Sequence, residues 1–309
     1  MRRLATLVLA LVLLGGCAAV PAPPVDDTDA GRPSAVWRPE GTPRAVLLAL
    51  HGFNDHHTAF AEFGPWAAGQ GVLVEAYDQR GFGANPDHGR WPGAEALTAD
   101  LRAAVVRLRQ QHPGVPLYVL GESMGAAVIT VAMTGSDAPE VDGIVLSAPA
   151  VWGGAALNPF YRATLWVMRN VVPSMTLTGR GLGKQASDNI PMLRALGADP
   201  LFIKETRVDA IGGVVDLMGE ALQRGPALTT RKLVLIGQRD EIVPPEAQET
   251  FVASLPASGC TLVSYPEGWH LLLRDLQRQR VWQDILGWIG NGTPPSGLAT
   301  ACPAADLGS

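Results

Sequence analysis

Six short apolar runs constrain this chain more than any other feature: residues 45–50 (AVLLAL), 72–77 (VLVEAY), 117–120 (LYVL), 143–146 (GIVL), 232–236 (KLVLI) and 261–265 (TLVSY). Each is bounded by Gly, Pro, Asp or Asn. Runs of this length, apolar on both faces, fit strands buried inside a parallel sheet. Helical periods lie between them. Residues 94–112 carry Leu97, Leu101, Val105, Val106 and Leu108 at three-to-four spacing and stop at Pro113-Gly114. Residues 124–133 are small and apolar, and 276–289 place Val281, Ile285 and Trp288 on one face. Strands alternating with such helices predict an α/β protein with a doubly wound, mostly parallel sheet.

One interval breaks the rhythm. The 80 residues from 151 to 230 are far more than a crossover needs. They predict a helical cap inserted between two late strands, with bulky stripes at Leu157, Tyr161, Leu165, Trp166 and Met168 and at Val214, Val215, Leu217, Met218 and Leu222. The stripes can pack on each other and the sheet, or form the inner wall of a lid; both roles are compatible.

The N-terminus reads separately. Arg2 and Arg3 precede an apolar run, 4–14, too short to span a bilayer, which identifies a secretory signal over 1–16. Leu14-Gly15-Gly16-Cys17 is similar to the lipobox of bacterial lipoproteins, so Cys17 is the expected lipidation site; an ordinary signal with an incidental cysteine is the alternative. Cleavage there removes both arginines and takes the formal charge from −5 to −7. Residues 17–34, rich in Pro, Ala and Asp, read as a tether. The expected location is therefore the cell envelope, with a membrane reached through a lipid anchor. In an exported chain Cys260 and Cys302 can form one disulfide, pinning a tail over 291–309; two free thiols are the alternative. The core is then 35–150 with 231–290. A hydrophobic fraction of 47% supports a large core, and negative charge without a basic cluster argues against a nucleic-acid partner.

The chemistry gathers at strand ends. In 118–130 (YVLGESMGAAVIT), Ser123 stands between Gly121 and Gly125 where a strand meets a helix. Glycines let that turn be sharp enough to lift one hydroxyl above the sheet edge. A serine hydroxyl needs a base, and the base an acid to orient it. Asp240 follows the 232–236 strand in GQRDEIVPP, and His270 follows the last strand in YPEGWH. His270 is the only histidine after His112; Asp240 is preferred to its neighbour Glu241 because it takes the first turn position after the strand. Ser147 lacks flanking glycines, and Asp275 reads as a solvated residue at a helix start. The oxyanion donors are expected at the backbone amides of Met124 and, in the loop LALHGFND, of Phe53, with Asn54 as the near alternative. HGFNDHH approaches an H-x-H-x-D-H metal pattern, but Phe53 stands where its middle histidine belongs, so no metal is assigned.

Together these motifs resemble the α/β-hydrolase family, in its monoacylglycerol lipase, lysophospholipase and serine aminopeptidase-like branch, from about residue 43 to 289. HGFNDH is similar to the branch's H-G-x-x-[DE]-H loop, DQRGFGAN to its D-x-R-G-x-G-x-S with Ala84 for serine, and GESMGA to G-x-S-M-G-G with Ala126 for the last glycine. SDNIPMLRALGADPLF is similar to the family's cap. The resemblance implies an α/β-hydrolase fold and a serine esterase needing no cofactor, which takes a monoacylglycerol, a lysophospholipid or a similar acyl ester. Related proline aminopeptidases, acyltransferases and haloperoxidases use the same triad on other bonds, and a non-catalytic lipid-binding lipoprotein is a further alternative.

Overall fold

The computed structural model describes residues 32–179 and 183–303. The signal over 1–16, Cys17 and most of the tether lie outside the described residues. Among the described residues no helix is long and apolar enough to cross a membrane.

The chain opens with β1 (Ser34–Trp37), β2 (Ala45–Leu50), α1 (Phe63–Ala68), β3 (Val72–Tyr77) and α2 (Ala94–Gln111). It continues through β4 (Leu117–Glu122), α3 (Met124–Met133) and β5 (Gly143–Ser147). The inserted interval holds α4 (Pro159–Val171), β6 (Thr176–Thr178), α5 (Ile190–Ala198), β7 (Glu205–Arg207) and α6 (Val208–Arg224). The chain then completes the body with β8 (Lys232–Gly237), α7 (Pro245–Ser254), β9 (Cys260–Tyr265), α8 (Arg278–Asn291) and β10 (Ala299–Ala301). The main sheet runs β1-β3-β2-β4-β5-β8-β9-β10. Its six inner strands are parallel, and β1 and β10 close the edges antiparallel.

Strand alternation builds two cores. Val46, Leu48 and Leu50 of β2 face one side, packed with Leu97 and Leu101 of α2, with α3, and with Phe251 of α7. Leu47 and Ala49 face the other, with Phe63 of α1 and Val281, Ile285 and Trp288 of α8. Successive Cβ atoms of a strand point to opposite faces, so a strand covered on both sides is apolar at most of its positions.

One boundary differs from expectation. Arg32–Ser34, read as tether, belong to the body. The guanidinium of Arg32 donates to Asp100 at 2.8 Å, the carbonyl of Pro33 accepts from the Asp78 amide, and Ser34 pairs with Tyr77. The tail adds the edge strand β10, and a disulfide joins Cys260 to Cys302 with a Cα separation of 5.5 Å.

The insertion divides its labour. Val214, Leu217 and Ala221 of α6 join the core beside α3, so the second apolar stripe packs inward. The first does so only at Leu157, which is buried; α4 itself has no buried residue, and its Tyr161 and Trp166 are exposed. The expected inner wall comes instead from the segment around Phe202 and Ile203. The Ile203 amide donates to the Asn54 carbonyl at 2.9 Å, which holds that segment down on the core and leaves α4 outside it.

Candidate active site

Parallel strands deliver their C-terminal ends to one rim, where sites of open α/β sheets assemble. Ser123 follows β4, Asp240 comes three residues after β8, and His270 comes five after β9. Ser123 holds a positive φ of 55° with ψ −113°, a backbone conformation rare for a non-glycine residue. Its flanking glycines answer to packing. A Cβ on Gly121 would lie 2.4 Å from the Ala126 nitrogen, and one on Gly125 would lie 2.4 Å from the Leu50 carbonyl oxygen. Strand and helix approach too closely for any side chain.

The three predicted polar residues meet in a line. Ser123 Oγ lies 2.9 Å from His270 Nε2, and His270 Nδ1 lies 2.8 Å from Asp240 Oδ2. A carboxylate only accepts, so Nδ1 carries the proton and Nε2 accepts from the serine hydroxyl. Burial alone would lower the pKa of His270, but the charge and hydrogen bond of Asp240 hold it above the ordinary value. Burial would raise the Asp240 carboxyl, yet His270 and the amides of Val243 and Ile242 hold it below the usual carboxylate range. Glu241, the alternative acid, turns away and accepts from the Gln185 amide at 2.8 Å.

The loop after β2 comes to the same place. A Cβ on Gly52 would stand 3.4 Å from Ser123 Cβ, so the backbone running into Phe53 passes beside the nucleophile. Met124 opens α3, and its amide lies in the first helical turn, which lacks internal acceptors. Phe53 packs edge-on against Phe82 and Trp91. Asn54 takes a positive φ of 66° and reaches the insertion through Nδ2, which donates to Thr206 Oγ1 at 2.7 Å.

A cavity of about 550 Å³ opens over Ser123 and His270. Phe53, Ile242 and Leu271 line it from the core, and Leu196, Phe202 and Ile203 from the insertion. This size lies within the range of small-molecule sites. His56 and His57, from the loop weighed for a metal, lie near Asp78, which follows β3, and all three are engaged. His57 Nδ1 bonds Asp78 at 2.7 Å, and His56 Nε2 meets Asp199 at 3.0 Å.

Residues 41–277 match the profile of the serine aminopeptidase S33 (Hydrolase_4) family. The chain belongs to that family. Among curated relatives it is similar to the monoacylglycerol lipase of Mycolicibacterium smegmatis, 28% identical over 264 residues, covering 82% of this chain and 91% of that one. The human monoglyceride lipase is 25% identical over 279 residues, covering 85% and 88%. Among solved structures, a soluble variant of monoglyceride lipase from Saccharomyces cerevisiae, in complex with a substrate analog, superposes with a TM-score of 0.73 at 19% identity, over 84% of this chain and 92% of that one. The monoacylglycerol lipase of Paleococcus ferrophilus gives 0.70 at 22%, over 83% and 97%. The fold is that of an α/β-hydrolase.

This S33 member also places residues at the site that sequence reading passed over. Gln248, on α7, donates from Nε2 to Asp240 Oδ2 at 2.8 Å. Asp275, read as a solvated helix-start residue, is fully buried; α8 begins three residues later, at Arg278. Its oxygens accept from Ser187 Oγ at 2.5 Å and from the Trp269 amide at 2.7 Å, immediately before the histidine. Spacing carries no signal for such contacts, since the partners come from the insertion and from a loop.

Proposed function

We propose that this protein hydrolyses monoacylglycerols, or closely related acyl esters such as lysophospholipids, through Ser123, His270 and Asp240. It is a carboxylic ester hydrolase, and the proposal concerns which ester and which residues. The observation that carries it is the unbroken chain from Ser123 Oγ through His270 to Asp240, with the serine facing a cavity walled by Leu196, Phe202, Ile203 and Ile242.

In this reading Ser123 Oγ attacks the acyl carbon as its proton passes to His270 Nε2, and Asp240 supports the imidazolium. The developing oxyanion meets the amides of Met124 and Phe53, the first aided by the dipole of α3. His270 returns the proton to the leaving glycerol oxygen. It then takes one from the water that cleaves the acyl-enzyme. No step draws on a cofactor. Lipidation at Cys17 would keep the enzyme at an envelope membrane, where such lipids partition.

The family description also admits peptide substrates with a free amino terminus. Such a substrate needs a carboxylate in the cavity for its ammonium group. Among the described lining residues Asp55 is the one carboxylate, and it is paired with Arg274 at 2.6 Å. That favours the ester.

The test is turnover of a monoacylglycerol by a chain beginning near Ala18, beside its Ser123→Ala variant and beside a proline-terminal peptide. Glycerol release that vanishes with the hydroxyl is the expected result. Release equal in both proteins, or cleavage of the peptide alone, overturns the proposal.

A further inference from the structure

One buried cation joins all three segments that converge on the site. Arg274 lies four residues after His270 and is 7% exposed. Its Nη2 donates to Asp55 Oδ2 at 2.6 Å and to Glu122 Oε2 at 2.9 Å. Asp55 sits two residues after Phe53, in the loop that passes beside the nucleophile. Glu122 is the residue immediately before Ser123 and is 1% exposed. A single guanidinium therefore fixes the β2 loop, the serine elbow and the histidine loop relative to one another.

The rest of the neighbourhood reinforces this. Asp55 Oδ1 accepts from the His56 amide at 2.9 Å, so its carboxylate is aimed by its own loop. The Arg274 carbonyl accepts from Asn189 Nδ2 at 2.9 Å, and its amide donates to the Leu271 carbonyl at 2.8 Å. Arg274 is held at both ends and is not free to swing.

Two buried carboxylates share one guanidinium, and one of them, Glu122, directly precedes the serine whose hydroxyl meets His270. A buried carboxylate of that kind is costly unless a nearby group can become positive. The imidazole is that group, since it gains a proton whenever Ser123 attacks. Burial raises the Glu122 carboxyl and Arg274 opposes the rise, while the charge of Glu122 itself favours protonated His270.

We propose that Arg274 is a positioning residue that yokes the β2 loop, the nucleophile elbow and the histidine loop together, and that Glu122 supplies a second negative charge, behind Asp240, that supports the imidazolium of His270 during acyl transfer. The inference rests on the reading of Ser123 and His270 as the reacting pair. The charged groups around His270 are Asp240 from the loop after β8, Glu122 from β4, Arg274 and Asp275 from its own loop, Asp55 from the loop after β2, and Lys204 from the insertion.

The experiment follows the rate at which a fluorophosphonate probe labels the protein between pH 5 and 9, with thermal unfolding of each variant alongside. In this reaction the oxygen of Ser123 bonds to phosphorus, fluoride leaves, and the serine proton goes to His270. The rate rises as His270 loses its resting proton. Glu122→Gln keeps the shape and removes the charge, so imidazolium loses support and the acid limb moves to lower pH, by about one unit at the effective dielectric of a buried site. Arg274→Lys keeps the charge and loses the two-carboxylate grip. Its limb stays near the wild-type position while the plateau rate falls, by about ten-fold for a small misplacement of reacting groups. Arg274→Met falls further and moves the limb upward; if it does not fold, the other two variants decide. A Glu122→Gln protein with both the limb and the plateau of the wild type overturns the inference. Wild-type protein that is not labelled, or is labelled equally after Ser123→Ala, overturns instead the reading of Ser123 on which it rests.

Discussion

Ser187 Oγ donates to Asp275 Oδ1 at 2.5 Å across 88 residues of sequence, tying the insertion to the loop that carries His270. Beside it the Leu271 amide donates to the Ala186 carbonyl, and the Leu276 amide to Asp188 Oδ1. The segment preceding α5 is thus stitched to the histidine loop. Burial pushes the Asp275 carboxyl up to about 7, against its two hydrogen bonds. An acid whose folded pKa exceeds its unfolded value of about 3.9 binds more protons when folded. Its contribution to stability is therefore lost as pH rises between those values. Asp275→Asn abolishes that dependence because an amide does not titrate, and the Ser187 hydroxyl can rotate to accept from it. The Tm of the variant relative to wild type is expected to climb from pH 5 to pH 8, read by circular dichroism. A difference constant with pH would contradict it.

Asp240 is expected to set the acid limb of the activity profile. His270 is held above its ordinary value mainly because Asp240, 2.8 Å away, outweighs burial. The base works when neutral, so kcat/KM for an ester should rise through a pKa above 6.5, the model-peptide value. Asp240→Asn removes the charge and permits the wrong tautomer. The expected loss in kcat is about 10³- to 10⁴-fold, with the limb moved to lower pH. An unchanged limb in this variant would mean that another acid supports the histidine.

Much of this arrangement is legible in the sequence. The six parallel strands stand out because covering both faces makes most of their positions apolar, and their ends place Ser123, Asp240 and His270 on one rim. The edge strands do not stand out: Ser34–Trp37 and Ala299–Ala301 are three or four residues long and exist through pairing with β3 and β9. Asp275 is misread for a related reason. Being near a helix start says nothing about burial, which depends on Ser187 folding over it. Arg274 and Glu122 carry no periodic signal, since their link spans 152 residues. The outward face of α4 is likewise invisible beforehand, because the same apolar spacing would serve an inner wall.

Gly125 should tolerate no side chain. A Cβ there would stand 2.4 Å from the carbonyl oxygen and 2.9 Å from the carbonyl carbon of Leu50, both backbone atoms of β2 that cannot move alone. Gly125→Ala must shift α3 away from the sheet, carrying the Met124 amide and Ser123 with it. Labelling by the fluorophosphonate probe is expected to fall at least about 100-fold, as an ångström-scale misplacement would produce, together with a lower Tm. Gly197, in α5, is the control: nothing lies within 4 Å of its missing Cβ. Gly197→Ala should raise stability by about 0.5–1 kcal/mol, because alanine restricts the unfolded chain. Equal effects at the two positions would mean that close strand–helix approach is not what requires glycine at 125.

The disulfide between Cys260 and Cys302 should affect stability without touching turnover. Cys260 opens β9, whereas His270 follows the opposite end of the same strand. Six strand residues at about 3.3 Å each put about 20 Å of strand between bridge and site. The bridge closes a loop with a sequence separation of 42 and holds β10 on the sheet edge. Closing a loop of that length restricts the unfolded chain by an amount worth about 2–4 kcal/mol. The paired variant Cys260→Ser with Cys302→Ser is therefore expected to lower the unfolding free energy in urea by that amount. Its kcat and KM on a monoacylglycerol at 25 °C should match the wild type. A fall in kcat at a temperature where the variant remains folded would show that the tail transmits strain along β9 to His270. It would also make the redox state of the bridge a control on catalysis.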